Sequence, residues 1–207
     1  MRIGADASYL RWDSQGIARY LDGLLHALEV QVAGSDELVV LYNSMARRRL
    51  FGETVREARV RLPKATLYNQ VGIPAALRWH ACDVYLGGGN VVPAWSAVPS
   101  VVIIHDCKAF REPEADTPGW TRYYRRWQRA SVRVAARVLA VSWFTARECE
   151  RWLGIPSDEV RVVHPGVDER FGPETPQTAP RDAELRDAIG VRGRYILQVG
   201  AFARQKG

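Results

Sequence analysis

The sequence predicts a doubly wound α/β fold, a Rossmann-like and mostly parallel sheet covered by helices. Three observations predict it. Short runs rich in Val, Ile and Leu recur along the chain, and several are nearly continuous rather than alternating, as parallel strands buried on both faces require. Helical patterns lie between many of these runs. Small and polar residues follow them directly, at the strand ends where open α/β sheets collect ligands.

Arg2–Ala5 reads as the first strand, with Asp6 behind it. Ile17, Tyr20, Leu21, Leu24, Leu25 and Leu28 then follow i, i+3, i+4, i+7 spacing, the apolar stripe of a helix. Strands are expected at Leu38–Tyr42 and Val60–Leu62, and Pro74 suits the first turn of another helix. Val84–Leu86 and Val101–Ile104 are strands, the former followed by Gly87-Gly88-Gly89-Asn90. Trp120–Val138 winds as a helix, and Val138–Val141 is a strand. Ser142 can cap a helix over Trp143–Leu153, with Gly154 just past its end. Val160–Val163 is a further strand.

Pro173, Pro176 and Pro180 interrupt this rhythm and mark a linker over 172–181. The first domain is therefore expected at 1–171. Residues 182–207 are expected to be the truncated start of a second domain, with a short helix at Ala183–Ile189 and a strand at Tyr195–Val199. That strand runs into a Gly/Lys-containing turn, Gly200–Gly207, with no helix after it.

A chain of 207 residues can bury a substantial core, and no apolar run approaches the roughly 20 residues of a membrane span. Cys82, Cys107 and Cys149 have no metal-like spacing and read as thiols of a reducing cytosol. The net charge of +6 favours anionic partners: phosphates, nucleotide, anionic lipid or nucleic acid.

Asp6, Gly87–Asn90, His105-Asp106, Ser142 and His164-Pro165-Gly166 all follow strands and should share one rim. Asp13–Tyr20 runs a short Gly-containing loop into a helix start, which can hold a phosphate or be a plain cap by Asp13 or Ser14. No Gly-x-Gly-x-x-Gly or Gly-x-x-x-x-Gly-Lys-Ser/Thr motif is present. His105 can donate to a substrate hydroxyl or oxyanion while Asp106 orients it, or the pair can be a satisfied strand-end network. Gly87–Gly89 allow close backbone approach or a flexible turn. Lys206 can reach a diphosphate or be solvated.

Wound at 100° per residue, Trp120–Val138 places Trp120, Tyr123, Tyr124, Trp127, Ala130, Val134 and Val138 on one face. Arg122, Arg125, Arg126, Arg129, Arg133 and Arg137 fall on the other. The arginine face is either solvated or a docking surface for anionic lipid or phosphate. The aromatic face reads as core rather than a base-stacking platform, so no specific nucleic-acid partner is expected.

Taken in order, these segments resemble the family-4 retaining glycosyltransferases, whose GT-B fold has two Rossmann-like domains. Gly16–Leu28 is similar to that family's first helix with its entry loop, and Val102-Ile-Ile-His105-Asp106 to its fourth strand. Val141-Ser142-Trp-Phe-Thr145, Leu153-Gly-Ile-Pro156 and Val160–Asp168 resemble its most specific string. Tyr195–Gly200 with Lys206 resembles the opening of its second domain.

The resemblance implies that Gly16 contacts the phosphates of a sugar-nucleotide donor and His105 the transferred sugar. Asp106 would shape the site and Lys206 would bind the diphosphate. His105 and Asp106 are thus the expected catalytic pair. Gln15, Gly16, Asn90, Ser142 and Lys206 are the expected donor-binding residues. Retention would proceed on one face, the leaving phosphate helping to deprotonate the acceptor, with no cofactor, metal or protein nucleophile.

Gln15 stands where many members have a second glycine. Ala201 stands where many have arginine, as in a subgroup that includes mannosyltransferases. The implied activity is transfer of a hexose, mannose among the candidates, to a glycan or lipid-linked acceptor. The implied place is the cytoplasm, peripheral at the inner face of the plasma membrane. The chain alone is expected to be inactive, since the family's two-glutamate segment lies further along. The alternative is a stand-alone Rossmann-like ligand-binding module without catalysis.

Overall fold

The structure, a computed structural model, describes residues 1–10, 16–32, 34–43, 51–114, 116–167, 171–173 and 179–196. The chain divides into two compact units, Met1–Gly166 and Val167–Gly207.

The first unit is built on seven parallel strands: β1 (Arg2–Asp6), β2 (Glu37–Asn43), β3 (Arg56–Val60), β4 (Val84–Gly87), β5 (Ser100–Ile104), β6 (Arg137–Ala140) and β7 (Arg161–Val162). Their spatial order is β3-β2-β1-β4-β5-β6-β7. This is a Rossmann-like sheet, and its strand order reverses between β1 and β4, where open α/β sheets form their ligand crevice. The Ile3↔Val84 and Ala5↔Leu86 register brings Asp6 and Gly87 to the same edge. The Val101↔Arg137 and Ile104↔Ala140 register brings the residues after β5 and β6 there too.

Helices are α1 (Gly16–Val32), α2 (Ala65–Leu67), a π-helical turn (Tyr68–Gly72), α3 (Ile73–Trp79), α4 (Lys108–Arg111), α5 (Pro118–Val134) and α6 (Trp143–Leu153). Alternate residues of β2 feed two cores. Leu38, Val40 and Tyr42 pack with Leu25 of α1, Ala5 and Phe51. Val39 and Leu41 pack with Ile73 and Leu77 of α3, Val132 of α5, and Cys149 and Leu153 of α6. Helices therefore cover both faces, as near-continuous apolar strands demand.

Three expectations are corrected. The third strand is Arg56–Val60 rather than Val60–Leu62. It is the sheet edge, so its charged Arg56, Glu57 and Arg59 are tolerated and no apolar run announces it. Helix α5 stops at Val134, where Ala135 turns extended, and Ala136 donates to Ser100 O at 2.8 Å. Arg137 and Val138 therefore belong to β6, and the arginine face has five members. The buried side of α5 is Thr121, Trp127, Gln128, Ser131 and Val132, whereas Val134 is 47% exposed. No glycine or proline marks the stop; pairing with β5 ends the helix.

The second unit contains α7 (Ala179–Ala188), followed by Gly190 and Gly193 at positive φ. The helix begins inside the expected linker, because Pro180 suits a first helical turn. Of the expected last strand, Tyr195 and Ile196 are not in a strand and the rest lies outside the described residues. Asp13, Ser14, Gln15, Arg47–Arg49 and Gly200–Gly207, which includes Lys206, also lie outside them.

Candidate functional site

The rim residues after β4, β5 and β6 form one hydrogen-bonded corner. His105 follows β5, and each of its polar groups but one is engaged. Its backbone N–H donates to Asn90 Oδ1 at 2.7 Å, and its carbonyl accepts from Thr145 Oγ1 at 3.3 Å. Its ring Nε2 lies 2.8 Å from Gly88 O. A carbonyl only accepts, so Nε2 carries the proton, and in the neutral ring Nδ1 is an acceptor. Burial holds the imidazole below its ordinary pKa, which favours that neutral form. The expected donation by His105 to a ligand is thus recast: Nε2–H is spent on the protein, and Nδ1 can accept from a hydroxyl.

The neighbouring loop is packed rather than flexible. Gly87, Gly88 and Gly89 are buried. A Cβ on Gly87 would strike Val92, one on Gly88 would strike Leu21 of α1, and one on Gly89 would strike Tyr9. The left-handed residue is Asn90, at φ 68°, a conformation asparagine tolerates better than most. Asn90 is 4% exposed, and its N–H donates to Ile103 O at 3.1 Å. It clamps the β4 loop to β5 and positions His105.

Asp106 accepts from Lys108 N at 3.0 Å, fixing the start of α4, and its carbonyl accepts from Gln128 Nε2 at 2.7 Å. Ser142 caps α6 by accepting from Thr145 N at 3.1 Å, and its hydroxyl also pairs with Thr145 Oγ1 at 3.0 Å. Gly154 closes the helix in the left-handed conformation. Ser142 thus reaches His105 through Thr145. His164, Pro165 and Gly166 follow β7 and are exposed.

Helix α1 joins this corner through Tyr20, whose ring meets the His105 ring edge-on at 5.0 Å. Gly16, the first residue of α1, lies one turn before Tyr20, on the same side. A Cβ at Gly16 would meet nothing within 4 Å, and its φ is not positive. The fold itself therefore does not require glycine there. Tyr20 and Thr145 are the contributors that sequence reasoning missed. Tyr20 stood only as one member of the helix stripe, although its i, i+4 relation to Gly16 was visible.

The arginines of α5 are partly occupied. Arg125 Nε donates to Ala109 O at 2.8 Å, and Arg125 and Arg129 lie 5.9 and 4.7 Å from the Phe110 ring centre. Arg122, Arg126 and Arg133 are exposed. Among the described residues no helix is long and apolar enough to cross a membrane, and no three His, Cys, Asp or Glu side chains are grouped to hold a metal.

Residues 15–171 match the profile of Glycosyltransferase Family 4. No curated protein gives a significant sequence match. Among solved structures, Anabaena HepE (Alr3699) in complex with UDP-glucose is 16% identical at a TM-score of 0.62, with 92% of this chain covered and 50% of that one. A glycosyltransferase from Rickettsia africae is 14% identical at a TM-score of 0.53, with 90% and 49% covered. The chain spans about half the length of these structures.

Proposed function

The chain belongs to Glycosyltransferase Family 4, and on that premise we propose that it is the acceptor-side half of a retaining enzyme with the GT-B fold. The whole enzyme moves a hexosyl group from a sugar nucleotide to a glycan or lipid-linked acceptor. The observation that carries this reading is the convergence of the α1 start, the Gly88 loop and His105 on one corner of the sheet edge. HepE, which shares the fold, is described in complex with UDP-glucose.

Each residue then has a role. The space over Gly16 admits the donor diphosphate, at the positive end of α1. By the family resemblance alone, Gln15 and Lys206, which lie outside the described residues, are assigned to the donor as well. Nδ1 of His105 accepts from a hydroxyl of the transferred hexose. Asn90, Asp106 and Ser142 hold His105 and the adjoining loops in place. The acceptor hydroxyl attacks the anomeric carbon on the face from which the diphosphate departs. The carbon–oxygen bond to phosphate breaks, a carbon–oxygen bond to the acceptor forms, and the departing phosphate oxygen takes the proton. This route uses no cofactor or metal.

Stabilising the departing diphosphate needs donors from both halves of the cleft, so the 207-residue chain alone is inactive on this reading. The exposed arginines of α5 dock it on anionic lipid at the cytoplasmic face of a membrane. The test is to extend the protein by its second half and incubate it with UDP-, GDP- and dTDP-hexoses, measuring release of nucleoside diphosphate. Turnover of one donor class supports the reading, and turnover of none removes it.

A further inference from the structure

The His105 side chain is bracketed by adjacent residues of α1. Its Nε2 lies 2.8 Å from Gly88 O. A hydrogen bond at one atom fixes a point of the imidazole but not its plane, so the ring could still swing about the Nε2–O axis. The Tyr20 ring closes that freedom. Its centre lies 5.0 Å from that of His105, at an interplanar angle of 86°, a favoured edge-on arrangement. The accepting carbonyl is itself held from α1. A Cβ on Gly88 would overlap Leu21 Cδ2, so the backbone there rests directly on the leucine, which is fully buried. Tyr20 thus braces the ring, and Leu21 braces the carbonyl that the ring grips.

Helix packing alone does not account for a tyrosine at this position. The residues that α1 buries are Ala18, Leu21 and Leu25. Tyr20 stands at the margin of that stripe, half-buried, and belongs to neither apolar core. Burial alone pushes its phenol up, with no hydrogen bond contributing, so the corner uses the ring rather than the hydroxyl. Burial also holds His105 below its ordinary pKa, against the opposing pull of Gly88 O and of the Asp106 carboxylate, the charged group that faces it. Gly88, Asn90 and Thr145, which also contact His105, carry no charge. A ring in edge contact with the imidazole is part of the cover that keeps water from it.

We propose that Tyr20 is a positioning residue: its ring pins the plane of the His105 imidazole, fixes the direction in which Nδ1 points, and ties that direction to α1. The glycosyltransferase reading, on which the consequence rests, makes the direction that of the transferred hexose. Gly16 lies one turn before Tyr20 on the same helix. One rigid element then registers both the phosphate end and the sugar end of the donor.

The test is proton–nitrogen correlation NMR of the histidines in the 207-residue chain, with His105→Gln to assign the signal. The wild type shows His105 protonated at Nε2, with a lowered pKa, and Tyr20→Phe keeps both. Tyr20→Ala raises the His105 pKa by about half a unit or more, as water reaches the ring, and mixes its tautomers. Loss of mere packing would lower melting without moving either signal. A Tyr20→Ala chain whose His105 pKa and tautomer match wild type overturns the proposal, and so does a Tyr20→Phe chain that behaves like Tyr20→Ala. If Tyr20→Ala does not fold, Tyr20→Leu, which fills the stripe without an aromatic edge, decides the matter by the same readout. In the extended enzyme Tyr20→Ala lowers kcat about two- to tenfold, the worth of one aromatic edge contact, and Tyr20→Phe retains it. Unchanged kcat in Tyr20→Ala removes the role in transfer. An extended enzyme that turns over no sugar nucleotide removes the glycosyltransferase reading, while the NMR still decides whether Tyr20 holds the ring.

Discussion

Gly88→Ala and Gly16→Ala separate a glycine needed by the fold from one needed by a ligand. At Gly88 an added Cβ overlaps Leu21 Cδ2, with Cδ1 at 3.0 Å and Cγ at 3.2 Å. Rotating the leucine does not clear it, because both methyls and the branch carbon are close and Leu21 is fully buried. Overpacking of this kind costs about 1–3 kcal/mol. For a domain of this size that lowers the melting temperature by about 2–12 °C. The same change pushes on the carbonyl that holds His105 Nε2. Gly16→Ala meets nothing within 4 Å and sits in a helix, where alanine is the better former, so it leaves melting unchanged or slightly raised. In the extended enzyme, however, it weakens sugar-nucleotide binding, since the methyl enters the space assigned to the diphosphate. The assays are circular-dichroism melting of the 207-residue chain and donor titration of the extended protein. A Gly88→Ala protein that melts like wild type, or a Gly16→Ala protein with unchanged donor affinity, refutes the reasoning.

Other outcomes follow from the same geometry. His105 is held below its ordinary pKa, so below about pH 6.5 the unfolded chain binds more protons than the folded one. Its contribution to stability is present above that pH and is lost as pH falls through the lowered folded value. Melting of wild type against His105→Gln between pH 5 and 8, at values spaced around that pKa, shows this component in the wild type only. Ser142→Ala removes the α6 cap and lowers stability by about 1 kcal/mol in urea unfolding. Arg122→Glu with Arg133→Glu abolishes co-sedimentation with phosphatidylserine-containing vesicles while leaving phosphatidylcholine vesicles unaffected. Binding that ignores both acidic lipid and these changes rejects α5 as the docking face.

The sheet was legible because its inner parallel strands, covered on both faces, must be apolar. The exception, Arg56–Val60, is the edge strand with solvent on one side, where that pressure lapses. The start of helix α5 was legible to within two residues, Pro118 against the expected Trp120; Thr117 accepts from Trp120 N there and Pro118 sets the first turn. Its end was not, because a long-range pairing sets it. His105 and Ser142 could be placed on the rim from the strand-end rule. Their roles needed geometry: one ring nitrogen is already committed to Gly88 O, and one hydroxyl is already a cap.

The most direct measurement is donor turnover by the extended enzyme, wild type against His105→Ala, with UDP-, GDP- and dTDP-hexoses. The account predicts release of nucleoside diphosphate from one donor class. It also predicts a fall of about a hundredfold in the variant, the loss of about 2.7 kcal/mol of transition-state contacts, with the fold retained by circular dichroism. Turnover within a few-fold of wild type would contradict the role given to His105, and no turnover of any sugar nucleotide would contradict the account as a whole.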